Sequence, residues 1–190
     1  MIKELVYKNR SYRRFYEDEP VGRDLLVELV DLGRMSPSGR NLQPLKYFIS
    51  NDRDLNAKIY PTLAWAGYLK DWGGPVEGER PSAYIVILED TSLGQGMPHD
   101  QGIVCQSMLL GAVEKGLGGC VIASVKKAEL ADILNIPEHL KVALVLALGK
   151  PKEEVVVDDI SEDGDIKYWR DSEQHHHVPK RTLKEVLINL

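Results

Sequence analysis

What this chain of 190 residues has little of already narrows its roles. It has only two cysteines, Cys105 and Cys120, with no CxxC spacing, so free thiols in a reducing cytosol are expected rather than disulfides or a thiolate metal site. Apolar runs are short, the stretch 142–148 being among the longest, and none suits a membrane span. The opening MIKELVYKNR carries charges where a secretory leader needs an apolar core, which predicts a cytoplasmic protein. Positive charge is in deficit, and a net charge of −5 argues against a nucleic-acid partner. Internal repeats, a Walker A sequence and a GxGxxG opening a helix are all absent, as is any triad or paired-carboxylate signal. A tightly held dinucleotide is therefore not expected.

What is present suits one compact domain. At 43% hydrophobic, a chain of this length buries about 70% of its unfolded surface and needs no covalent staple. Helical spacing of apolar residues predicts helices over 2–9, 21–35, 52–60, 100–115 and 129–134. β-branched runs predict strands over 45–50, 83–89, 120–123 and 141–148. Residues 61–81, broken by Gly73-Gly74-Pro75 and Gly78, fit no element. Strands alternate with helices without a βαβ rhythm, which predicts an α+β fold with helices on both faces of one sheet. After Pro151 the composition turns acidic and polar. Residues 1–151 therefore read as the core, and 152–190 as an extended arm with some ordered contacts, ending in a short amphipathic helix over 182–187 and carrying apolar Leu183, Val186, Leu187 and Leu190.

Three constellations carry chemistry. In the segment Asn9-Arg10-Ser11-Tyr12-Arg13-Arg14-Phe15, planar guanidinium forks and a hydroxyl suit a phosphate. Its alternative is a solvated surface set among Glu17, Asp18 and Glu19. In Pro37-Ser38-Gly39-Arg40-Asn41-Leu42-Gln43-Pro44, Ser38, Asn41 and Gln43 sit on a loop fixed by prolines. Such a loop reads the edge of a heterocycle, or is only rigid. In Gly116-Leu117-Gly118-Gly119-Cys120-Val121-Ile122-Ala123, glycines either admit a ligand to the backbone or simply close a helix. The run His175-His176-His177 invites a metal, but three adjacent histidines of an extended chain do not converge on one ion, so a structural or solvated role is expected and no metal. Cys120 needs no role beyond that of a small buried residue.

These runs in this order, with Leu134-Asn135-Ile136-Pro137-Glu138 ahead of a strand ending LGKP, resemble the nitroreductase family over roughly residues 5–151. The resemblance implies a three-layer α-β-α sandwich with a mixed or antiparallel central sheet, in a homodimer that exchanges its C-terminal arms. It implies FMN, its phosphate held by Arg10, Ser11, Arg13 and a C-terminal cation, Lys180 or Arg181. Pro37, Ser38, Asn41 and Gln43 would reach the flavin from the partner subunit, and Val121, Ile122, Ala123 and Ser124 would run beside its ring. Arg13 would stabilise negative charge at flavin N1 and O2. The implied activity is ping-pong hydride transfer, with NAD(P)H as transient donor and a nitroaromatic, quinone or similar small molecule as oxidant. Other outcomes are flavin fragmentation, dehalogenation, a non-catalytic FMN-binding protein, or a protein-interaction domain. Asn9 stands where relatives often carry a further arginine, which implies a weaker phosphate grip or a shift of it to Arg14; Ala123 stands where many have glycine.

Overall fold

In the computed structural model, which describes residues 1–160 and 164–188, the run AYIVILED forms strand β2 (Ala83–Asp90), buried along both faces. Successive side chains of a strand point opposite ways, so a strand covered on both sides must be apolar throughout. Ala83, Ile85 and Ile87 pack under helices α2 (Arg23–Arg34) and α4 (Pro98–Glu114), against Leu26, Leu29, Val104, Met108 and Ala112. Tyr84, Val86 and Leu88 face the other way, with Ile59 of α3 (Arg53–Ile59) and Leu130 of α5 (Lys127–Ile133). The result is the expected α+β sandwich of three layers.

Strands β1 (Leu45–Ser50), β3 (Gly118–Ile122) and β4 (Leu140–Gly149) complete the central sheet in the order β1-β2-β4-β3. All its neighbours are antiparallel. Ile87 faces Leu144 while Leu88 faces Val142, so Ala143 is the extra residue of a bulge. The bulge turns Ala143 and Leu144 to the same face, towards α2 and α4, before alternation resumes. The first helix, α1 (Ile2–Lys8), is the one expected at the start of the chain.

The glycine run 116–119 does more than close a helix. Gly116, at φ +77°, follows α4 in the left-handed conformation that only glycine adopts without steric cost. Gly118 and Gly119 already belong to β3, two residues earlier than expected, because neighbours crowd their backbone. A Cβ at Gly119 would stand 2.6 Å from the Ala147 carbonyl oxygen, and one at Gly118 would stand 2.4 Å from the Tyr12 ring. Through that gap the arginine segment crosses the strand end, the Tyr12 N–H donating to the Gly119 carbonyl at 3.0 Å.

Two segments differ from expectation. Residues 62–64 run beside 124–126: the Ala64 N–H donates to Ser124 O at 2.9 Å and the Lys126 N–H to Thr62 O at 2.8 Å. The region with no assigned element thus begins as an edge partner of the β3–α5 connection. Beyond Pro151 the chain is not extended. Strands β5 (Val155–Asp159), β6 (Trp169–Arg170) and β7 (His176–Lys180) form a second sheet in the order β5-β7-β6, folded back on the same chain. Its polar composition misled because charged and aromatic contacts seat it: Arg170 reaches the buried Glu153, and Tyr168 and His176 pack on Arg13. The last helix, α6 (Leu183–Val186), leaves Leu183, Val186 and Leu187 exposed, and Leu190 lies outside the described residues. Among the described residues no helix is long and apolar enough to cross a membrane.

Two alanine substitutions should separate these effects in urea denaturation. Gly119→Ala forces a methyl group against backbone and should cost about 1–3 kcal/mol, as overpacking does. Gly102→Ala, on an exposed position of α4 with open space around it, should stabilise by about 0.5–1 kcal/mol. Equal midpoints for the two variants would show that the β3–β4 approach is not tight.

Candidate functional site

The arginine segment is held by one carboxylate. Glu153 accepts from the backbone N–H of Arg13, and from that of Arg14 at 3.2 Å, while its other oxygen takes the Arg170 guanidinium at 2.8 Å. The Glu153 side chain is fully out of water, and such a charge persists only when paired and hydrogen-bonded. Arg14 turns away and grips Glu79 through two bonds of 2.6 Å. Of the two outcomes expected from Asn9, this geometry favours a weaker grip over a shift to Arg14, which does not line the hollow shared by Arg10 and Arg13. Two of the three acids suggested as surface partners are engaged elsewhere: Glu17 accepts from the Gly78 and Arg80 N–H groups, and Glu19 pairs with Lys150.

Arg10, Ser11 and Arg13 open onto a hollow of about 320 Å³ that is also lined by Asn9, Tyr168, His176, Val178 and Lys180. No carboxylate is among these residues, and the Arg10 Nε is buried without a hydrogen-bond partner among the described residues. Three cations and a hydroxyl with no acid between them suit an anion with several oxygens, such as a phosphate monoester. Of the two C-terminal candidates, Lys180 lines the hollow, whereas Arg181 points to Glu185 at 3.5 Å. His176, Val178 and Lys180 are alternate residues of β7, so one face of that strand supplies all three. Period-two alternation through the histidine run was the available sequence signal, and reading the tail as extended concealed it.

A second hollow, about 180 Å³, lies on the other side of Arg13. Val121, Ile122, Ala123 and Ser124 line it together with Ala64, Trp65, Ala66 and Gly67 of the neighbouring segment. The Ile122 side chain is buried in the core, so that residue offers the hollow only its backbone; Val121 is 40% exposed. Burial pushes up the pKa of the Cys120 thiol, keeping it protonated and inert despite the Arg13 charge nearby. Arg13 thus lines both hollows, a cationic cradle on one hand and a smaller groove on the other.

The proline loop is elsewhere. Ser38 donates to the buried Asp100 at 2.8 Å and accepts from the Gln43 N–H at 3.0 Å, so its hydroxyl braces the loop. Arg40, Asn41 and Gln43 hold φ near +55° (55°, 54° and 53°), a conformation costly for side-chain-bearing residues. The exposed Pro37, Asn41 and Gln43 are thereby presented at a fixed angle. Pro37, Ser38 and Gln43 line a hollow of about 550 Å³ beside α2 and α4 that shares no residue with the cradle or the groove.

The histidines alternate too. His176 is fully buried with its Nε2 2.9 Å from the Arg13 guanidinium, while His175 bonds Asp171 and His177 bonds Asp158, each at 2.8 Å. Burial, helped by the charges of Arg13, Arg170 and His177, pulls the His176 pKa down to about 4. The unfolded chain, with an ordinary imidazole near 6.5, then takes up this proton before the folded one does. This contribution to stability is complete above pH about 6.5 and is lost as pH falls towards 4; it amounts to at most about 3 kcal/mol. His175 is raised by its bond to Asp171, and His177, against some desolvation, by Asp158 and Asp171; both titrate with the opposite sign. The urea midpoint of the wild type should therefore drop relative to His176→Gln between pH 6.5 and 4.5. Parallel midpoints across that range would refute the neutral, buried imidazole.

A family model described as the nitroreductase family matches residues 6–72 and 80–150. An iodotyrosine deiodinase of Thermotoga neapolitana is 26% identical over 173 residues, covering 80% of this chain and 90% of the relative. An NADH dehydrogenase of Thermus thermophilus is 27% identical over 180 residues, covering 80% and 87%. The solved structure of an FMN-dependent nitroreductase from Clostridium difficile superposes with a TM-score of 0.66 at 19% identity, over 98% of each chain. The matched span takes in the central sheet, the arginine segment, the proline loop and the glycine strand, and the chain belongs to the nitroreductase family.

Proposed function

We propose that the protein is an FMN-dependent oxidoreductase working in the cytoplasm, a compartment that its two free thiols suit. The observation that carries this reading is the acid-free cradle of Arg10, Ser11, Arg13 and Lys180, which shares Arg13 with the groove lined by residues 121–124 and 64–67. A phosphate monoester fits the cradle and a planar ring fits the groove. Bound FMN supplies the redox chemistry, hydride entering from NAD(P)H and electrons leaving to a small oxidant such as a nitroaromatic or a quinone, by turns on one face. The chain's own residues position and bias that chemistry. Arg10 and Lys180 anchor the phosphate, and Arg13 keeps a positive charge at the groove edge, where negative charge gathers on reduction. Trp65 and the 64–67 segment narrow the groove and exclude water. The oxidant is where relatives divide: the deiodinase and the NADH dehydrogenase are about equally similar to this chain.

The groove is open where the proline loop would serve it, and that loop stands on a different face of the same chain. A homodimer resolves this, with residues 37–44 of a second copy closing each groove and the exposed Leu183, Val186 and Leu187 covered in the same interface.

Acid-released cofactor should chromatograph as FMN; FAD as the main species would overturn the cradle assignment. Arg10→Ala should weaken FMN binding roughly ten- to hundredfold, the loss of a charge-assisted hydrogen bond. Lys180→Ala should weaken it similarly, and Arg181→Ala by less than about threefold, since its guanidinium faces Glu185. Equal effects at 180 and 181 in an FMN fluorescence titration would refute this geometry.

A mixed dimer tests the shared site. Copies carrying Arg10→Ala and Asn41→Ala should each bind FMN weakly alone, yet their co-expressed heterodimer should recover wild-type affinity at about half the sites, because one cradle and one loop remain intact together. No recovery would mean that each chain completes its own site.

A further inference from the structure

The way Arg13 is held has a consequence for the chemistry it can support. A half-buried guanidinium commonly meets a carboxylate. Here one of its nitrogens donates to the Ser11 carbonyl at 3.1 Å and lies 2.9 Å from His176 Nε2, and its Cζ sits 4.7 Å from the centre of the Tyr168 ring. Tyr168 and His176 are themselves in contact, ring centres 5.3 Å apart, so the guanidinium meets the two rings as one continuous surface. Among the described residues no carboxylate pairs with the Arg13 side chain. Glu153, which accepts from the Arg13 backbone, directs its other oxygen to Arg170. A guanidinium can only donate, so His176 Nε2 accepts and its proton resides on Nδ1.

We infer that His176 is a positioning residue of the flavin site, a neutral acceptor that aims the Arg13 guanidinium between cradle and groove without cancelling its charge. The inference rests on the FMN reading above. A carboxylate at this position would orient Arg13 equally well, but it would neutralise the cation that phosphate and reduced flavin both need. An apolar residue would leave the charge and lose the aim. Imidazole provides both, provided it stays unprotonated, and its burial beside Arg13 and Arg170 ensures that. The arm therefore contributes more than the Lys180 anchor: every second residue of β7 from His176 onward serves the same face of the site.

Five variants of the full-length protein separate aim from charge, read by FMN fluorescence titration and by the reduction potential of the bound flavin. His176→Ala should weaken FMN binding about tenfold, equivalent to 1.4 kcal/mol. His176→Gln, whose amide oxygen accepts from Arg13 without adding charge, should restore affinity to within about threefold of wild type. His176→Glu should bind FMN less well than His176→Ala and give the flavin a lower potential than His176→Gln does. In an Arg13→Ala background, His176→Ala should cause no further loss, because its effect passes through Arg13. Equal affinities and potentials for the glutamine and glutamate variants would overturn the inference, as would an alanine effect that persists without Arg13. If the glutamate variant does not fold, the Arg13 cycle decides alone. Wild-type protein that takes up no FMN would overturn the flavin reading and this inference with it; wild type that binds FMN while the variants fail these comparisons would overturn the inference alone.

Discussion

Glu153 is the joint on which the site hangs. Its carboxylate, removed from water, is satisfied by two backbone N–H groups of the arginine segment and by Arg170 of the second sheet, so one side chain fixes two parts of the chain that are far apart in sequence. An interior carboxylate is costly unless every lone pair finds a donor, and breaking one such pair typically costs about 3–5 kcal/mol. That penalty enforces geometry here: displacing either the 13–14 backbone or Arg170 would strand the charge. Cation-π packing of Arg170 on Trp72, at 4.3 Å, extends the joint to the segment beyond the groove wall.

With that joint made, the charges near the site sort themselves. Arg14 goes to Glu79 and Arg170 to Glu153, leaving Arg10, Arg13 and Lys180 facing a hollow without acids. An acidic chain thus carries a locally cationic pocket, because its carboxylates near the arginine segment are already engaged. Backbone geometry matters equally. The arginine segment reaches the strand end only because Gly118 and Gly119 lack side chains, so Arg13 stands beside residues 120–124.

Much of this was legible in the residues. Apolar runs placed the four central strands and the helices over them to within a few residues, because burial on both faces or on one stripe dictates composition directly. The arginine segment was recognisable because guanidinium chemistry does not depend on neighbours. The glycine run was half legible: its role as a helix stop follows from conformation, but the close approach of Tyr12 requires a partner 106 positions away in the chain, counted from Gly118.

The sequence by itself determined the sandwich, its core and the residue types able to hold a phosphate, since these follow from periodicity and local chemistry. Only the tertiary structure decided which cations converge: Lys180 and not Arg181, Arg13 and not Arg14. It also decided that the polar tail folds into a sheet, and that one of three adjacent histidines is buried against Arg13 while its neighbours face carboxylates. Those outcomes rest on competing pairings at every range, from Arg181 with Glu185 to Arg13 with His176, and no local pattern specifies which charge will find which partner. Periodicity fixes the face a side chain occupies; only the folded chain fixes what it meets there.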